Sequence, residues 1–153
     1  MSRRTVAIGI GNRLRGDDAA GIEVAERLRG TAPAGLEVVS CDAEPSRLME
    51  AWSGADSVVL VDTVTSGAAA GTLHRFDAGE EPVPARAFRS STHAIGISET
   101  IELARALGRL PRRVRVYGVE GAEFATGAGL TPAVEAAVGR VVDAILADLE
   151  EEP

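Results

Sequence analysis

Four consecutive apolar residues, Val58-Val59-Leu60-Val61, stand between Ser57 and Asp62. A strand with one wet face alternates polar and apolar side chains; a run that is apolar at every position is covered on both faces. Such strands belong to parallel sheets, whose neighbours are joined by crossovers long enough to hold a helix. The rest of the chain alternates accordingly. Strand patterns lie at about 5–10, 36–41, 57–62 and 114–119, and 72–76 alternates like an edge strand. Helical patterns lie at about 18–29, 45–52 and 94–107, and a long helix opens at Pro132. Residues 78–89, with Pro82 and Pro84, read as irregular. The expected fold is three-layer α/β: a mostly parallel twisted sheet of about five strands, one of them an antiparallel edge strand, flanked by helices. At 153 residues, with no repeat or clear linker, the chain is expected to form one domain over 1–153.

In doubly wound sheets ligands bind beyond the carboxyl ends of the strands. The first such end carries GIGNRLRGDDAAG, residues 9–21. Glycine-rich turns between strand and helix often cradle phosphates. Here the dinucleotide pattern G-x-G-x-x-G fails at Leu14, and the phosphate-loop pattern fails because Asp17 and Asp18 replace Lys and Ser/Thr. Two carboxylates repel a polyphosphate, so the loop faces a cation or a reacting group instead. Capping of the following helix accounts for one of the two acids, or for both; otherwise one carboxylate projects over the strand ends.

Asp62 closes the apolar strand at an equivalent place, and His93 stands at the start of a helix in SSTHAIGISET. Asp18, Asp62 and His93 together make a one-imidazole, two-carboxylate set that suits a borderline divalent ion. Glu120 and Glu123 border the same crevice in the loop GVEGAEFATGAG. His74, in an alternating strand, is expected on the solvent face. Cys41 reads as a core thiol, with a nucleophile paired to His93 as the alternative.

Composition removes several functions. The formal charge is −7, which argues against nucleic acid or an anionic membrane as partner. No apolar run approaches a membrane span, and Met1-Ser2-Arg3-Arg4 leads into a strand rather than a signal segment. One cysteine permits no internal disulfide, and a cytoplasmic setting is expected. All sixteen basic residues are arginine, so no lysine can form a Schiff base or serve as general base.

Four stretches in order, AIGIGNRLRGDDAAG, VVLVDTV, STHAIGISE and GLTPAVEAAV, closely resemble the hydrogenase maturation proteases. These endopeptidases trim the C-terminal extension from the large subunit of nickel–iron hydrogenases. The resemblance spans nearly the whole chain and implies a twisted sheet flanked by helices. It implies that Asp18, Asp62 and His93 form a nickel-sensing site. It implies nickel as the ion, supplied by the large-subunit precursor, with other divalent ions able to stand in. Expected substrate contacts are Gly9, Gly11 and Asn12 in the opening loop, Asp42 and Glu44 after the second strand, and Glu120 after the last. Two segments depart from the family: Cys41-Asp42-Ala43-Glu44-Pro45 replaces a small Gly-Thr turn, and Val119-Glu120-Gly121 replaces a more rigid step. Asp18 is one methylene shorter than the Glu of some members.

The implied reaction is hydrolysis of one peptide bond in a folded partner. The ion would position the cleaved strand and polarise its carbonyl or activate water, or Asp17 or Asp62 would act as general base. A monomer is expected, since a large folded partner needs an accessible face. Two other readings stay open: a non-catalytic module that senses a cation or ligand, and a different hydrolase using Cys41 or magnesium.

Overall fold

A computed structural model of the chain describes residues 3–31, 33–79, 82 and 96–151. Strand β1 (Thr5–Ile10) leads through a single 3-10 turn (Gly16–Ala19) into helix α1 (Ala20–Thr31). Then come β2 (Leu36–Cys41), α2 (Pro45–Ala51), β3 (Ser57–Val64), β4 (Leu73–Asp77), α3 (Ile97–Ala106), β5 (Arg113–Glu120) and α4 (Pro132–Glu151). The sheet order is β2-β1-β3-β5-β4. All neighbours are parallel except β4, which runs antiparallel to β5 at one edge. The mixed α/β sheet expected from the apolar patterning is the one observed.

Strand alternation divides the core into two layers. Val6, Ile8, Val58, Leu60, Val114 and Val116 pack on the side of α2 and α3, with Leu48, Met49, Trp52, Ile97 and Ile101. Ala7, Val59, Val61, Tyr117 and Val119 face α1 and α4, with Val24, Leu28, Val134, Val138 and Val141. From β1 the chain moves outward to β2, then returns across to β3. That reversal opens the crevice between the carboxyl ends of β1 and β3, where such sheets bind their ligands.

Two expected boundaries move, and both shifts bear on the site. The first helix does not begin at Asp18; the 3-10 turn holds both acids ahead of α1. Strand β3 runs two residues past Asp62, because its pairing with β5 continues through Asp62↔Gly118 and Thr63↔Val119 to Val64↔Glu120. Asp62 therefore lies inside a strand, on the face shared with Val58 and Leu60. The expected start of the third helix at Ala94 lies outside the described residues; the described helix begins at Ile97.

The spacing of β1 and α1 is set by glycine. A Cβ at Gly9 would lie 2.2 Å from the Gly21 carbonyl oxygen and 2.7 Å from the Ala25 Cβ. A Cβ at Gly21 would lie 2.4 Å from the Ile10 oxygen and 2.5 Å from the Val61 oxygen. Gly9 sits in regular strand rather than in the turn, so its absent side chain serves close packing of helix on sheet. Among the described residues no helix is long and apolar enough to cross a membrane.

A methyl group at either position forces backbone apart. Gly9→Ala is expected to cost about 1–3 kcal/mol, the usual range for overpacking a tight core. Urea unfolding followed by circular dichroism measures it; an unchanged midpoint would refute the close-packing account.

Candidate active site

The opening loop is tied shut by its own backbone. The Asn12 amide donates to the Asp18 carbonyl (3.2 Å), and the Arg15 and Asp18 amides donate to the Asn12 and Arg15 carbonyls (3.2 and 3.0 Å). The Asn12 Oδ1 accepts from the Leu14 amide (2.9 Å), the side-chain bridge expected of an asparagine in a turn. Gly11 allows the closure, since a Cβ there would meet the Asp18 carbonyl oxygen at 2.0 Å.

Asp17 is fully buried, at 0% exposure. Its Oδ2 accepts from the amides of Ala122 (2.8 Å) and Glu123 (3.0 Å), and its Oδ1 from the Thr131 amide (2.8 Å). The Thr131 hydroxyl lies 3.1 and 3.0 Å from the two oxygens. The Asp17 amide donates to the Glu123 carbonyl (2.7 Å), and the Asp17 carbonyl accepts from the Thr63 hydroxyl (2.7 Å). This carboxylate joins the 3-10 turn to β3, the β5–α4 loop and the start of α4. Charge-assisted bonds of this kind are the strong ones, and with its oxygens so occupied Asp17 is badly placed to take a proton from water.

Asp18 and Asp62 have a different environment. They are 5% and 3% exposed; Asp18 sits in the 3-10 turn after β1, and Asp62 lies within β3, two residues before its end. The Asp62 Oδ1 accepts from the following amide, Thr63 (2.8 Å). Burial pushes the Asp62 carboxyl well above the usual carboxylate range; the Thr63 amide opposes this, and the nearby Asp18 charge adds to it. Beside Asp18 opens a cleft of about 510 Å³, lined by Gly11, Asn12, Arg13, Asp18, Ser40 and Asp42 among others. It lies over the carboxyl ends of β1 and β2. His93, the expected third ligand, lies outside the described residues, and among the described residues no three acidic, histidine or cysteine donors gather into a cation site.

Other expected contacts are placed as follows. Asp42 lines the cleft and pairs with Arg47 (2.7 Å). Glu44 caps α2, accepting from the Ser46 and Arg47 amides (both 3.1 Å), with Pro45 at the first helical position. Glu120 does not border the crevice as a free contact. It is 2% exposed, at the end of β5, and accepts from the Ser66 amide (2.8 Å) and hydroxyl (2.5 Å). His74 is not on the solvent face: its Nε2 lies 3.1 Å from the Glu120 Oε1 and its ring stacks on Phe76. The register explains why, since His74 and Asp62 both pair with Gly118 and so face the same side of the sheet. Burial, with Asp42 beside it, pushes the Cys41 thiol up to about 11. It is protonated at neutral pH, which makes it a weak nucleophile.

The family model described as hydrogenase maturation protease matches residues 22–148. The chain belongs to the hydrogenase maturation proteases. It is 28% identical over 152 residues to the hydrogenase 2 maturation protease of Escherichia coli, covering 97% of this chain and 92% of that one. The solved structure of the hydrogenase maturating endopeptidase HybD from E. coli superposes with a TM-score of 0.82 at 27% identity, covering 97% and 93% of the two chains. A [NiFe] hydrogenase maturation protease HybD from Thermococcus kodakarensis superposes at 0.75, with 28% identity over 95% of this chain and 98% of that one. The protease is thus a peptide-bond hydrolase on the α/β fold its family shares.

Two substitutions separate the buried acids Asp17 and Asp62. Asp17→Asn removes the charge that four donors address and is expected to cost about 3 kcal/mol, lowering Tm by about 6–12 °C in a chain of this size. Asp62→Asn is expected to do the opposite at neutral pH. Because the folded protein raises the Asp62 pKa, its penalty is absent below the unfolded-state value and grows as pH rises through the folded value. Calorimetry should show Asp62→Asn melting above the parent at pH 7, with the gap closing in acid. A variant less stable at pH 7 would contradict that assignment.

Proposed function

We propose that this protease removes the C-terminal extension of a nickel–iron hydrogenase large-subunit precursor after nickel insertion, with the precursor's nickel as recognition element. The observation that carries the reading is the pair of buried carboxylates, Asp18 and Asp62, at the topological switch point, with Asp18 also lining an open cleft. Paired acids there repel an anionic ligand and welcome a cation. Oxygen donors joined by one imidazole, His93, suit a borderline divalent ion such as nickel. The names of the relatives support the partner: each is a protease of hydrogenase maturation.

Nickel is then part of the substrate, and these side chains test for its presence. When bound, the ion supplies Lewis acidity toward a nearby carbonyl. The chain's own residues do the rest. The cleft along Gly11, Asn12 and Asp42 receives the extended segment. Of the two acids considered as general base, Asp17 is committed to Ala122, Glu123 and Thr131, which leaves Asp62. Asp62 takes a proton from water as the water oxygen bonds to the scissile carbonyl carbon; the C–N bond then breaks and the protonated Asp62 passes that proton to the departing amine. A carboxyl held above its ordinary range is a stronger base once ionised.

The experiment mixes the protease with nickel-loaded and nickel-free precursor and follows loss of the extension by mass spectrometry. Only the loaded form should be cut. Asp18→Asn, Asp62→Asn and His93→Ala should each lower the rate by about 100-fold or more. Equal cutting of the two precursor forms would end the nickel-sensing idea, and full activity in the variants would end the site assignment.

A further inference from the structure

Leu14 is 66% exposed, the most exposed large apolar side chain among the described residues. Single exposed leucines are ordinary on protein surfaces; Leu107, 57% exposed at the end of α3, is one. Leu14 differs in how its backbone is held. Its amide donates to the Asn12 Oδ1 (2.9 Å), and its carbonyl accepts from the Gly127 amide (2.9 Å). Two residues on, Gly16 has φ +52°, and a Cβ there would lie 2.4 Å from the Glu123 carbonyl oxygen. The loop is therefore wedged against the β5–α4 segment immediately beyond Leu14, and Asp17 bolts it there. On the other side stand Asn12 and Arg13, which line the cleft next to Asp18. The Arg13 guanidinium is drawn onto α1 by Glu26 (2.5 Å).

From these contacts we infer that Leu14 is a docking residue: an exposed apolar knob on fixed backbone at the rim of the cleft that seats in an apolar pocket on the folded precursor, beside the segment to be cut. The partner is taken from the function proposed above; the knob itself is argued from the loop. An apolar side chain carried on backbone that is fixed before binding requires less of the loop to be ordered when it is covered, which is how a few residues come to dominate an interface. Its position, continuous with the cleft and four residues before Asp18, puts that contact on the same partner that fills the cleft. Leu14 touches no reacting atom in this scheme. It acts on affinity, so its removal should raise KM and leave kcat unchanged.

Leu14→Ala, Leu14→Met and the control Leu107→Ala are compared with the parent protein. Binding of the nickel-loaded precursor is measured by biolayer interferometry, cleavage kinetics by mass spectrometry, and Tm by calorimetry. Leu14→Ala should weaken binding and raise KM about tenfold, with kcat and Tm unchanged. Leu14→Met should restore most of the affinity, and Leu107→Ala should match the parent. Unaltered binding in Leu14→Ala overturns the inference, as does failure of the parent to bind the precursor. So does a parent dimer that Leu14→Ala dissociates, because a second copy would then be the occupant. Leu14-dependent binding without cleavage would sustain the docking role while ending the protease reading.

Discussion

One buried carboxylate organises the working end of the molecule. Asp17 accepts three backbone amides and a hydroxyl from residues more than a hundred positions away, and its own backbone reaches Thr63 and Glu123. The β5–α4 segment has little regular structure to anchor it, and a charged acceptor supplies what a strand ladder would otherwise give. With that segment fixed, the 3-10 turn has only one way to lie, and Asp18 follows from it. The adjacent acids thus divide labour: one builds the rim and the other occupies it.

Much of this was legible in the residues. The unbroken apolar run at Val58–Val61 implied a strand covered on both faces, and β3 is buried along its whole length. The departure from both phosphate patterns, at Leu14 and at Asp17-Asp18, argues against a polyphosphate ligand from the residues alone. Pro132 marked the opening of α4, and Pro45 the opening of α2. These signals are local: each rests on a period or on a residue whose backbone chemistry permits few alternatives.

What escaped the sequence was register. Nothing near His74 states that β4 will pair antiparallel with β5 and set this imidazole against Glu120. The alternation of residues 72–76 marks an edge strand, and β4 is one, but alternation alone does not say which face is covered. Asp62 had the same difficulty. An acid after four apolar residues looks like a strand end, whereas pairing with β5 carries the strand on to Val64. The two roles of Asp17 and Asp18 were equally hidden, because partners as distant as Ala122 and Thr131 leave no trace beside them.

The glycine contact between β1 and α1 has a mechanical consequence. With Gly9 and Gly21 pressed to backbone on both sides, the helix cannot slide or roll over the strand without a steric collision. The turn that carries the acids is joined to both, so it inherits their stiffness. Whatever adjustment accompanies the meeting of protease and client must then fall on the client or on other segments, and the acid-bearing turn serves as the fixed jaw against which they close.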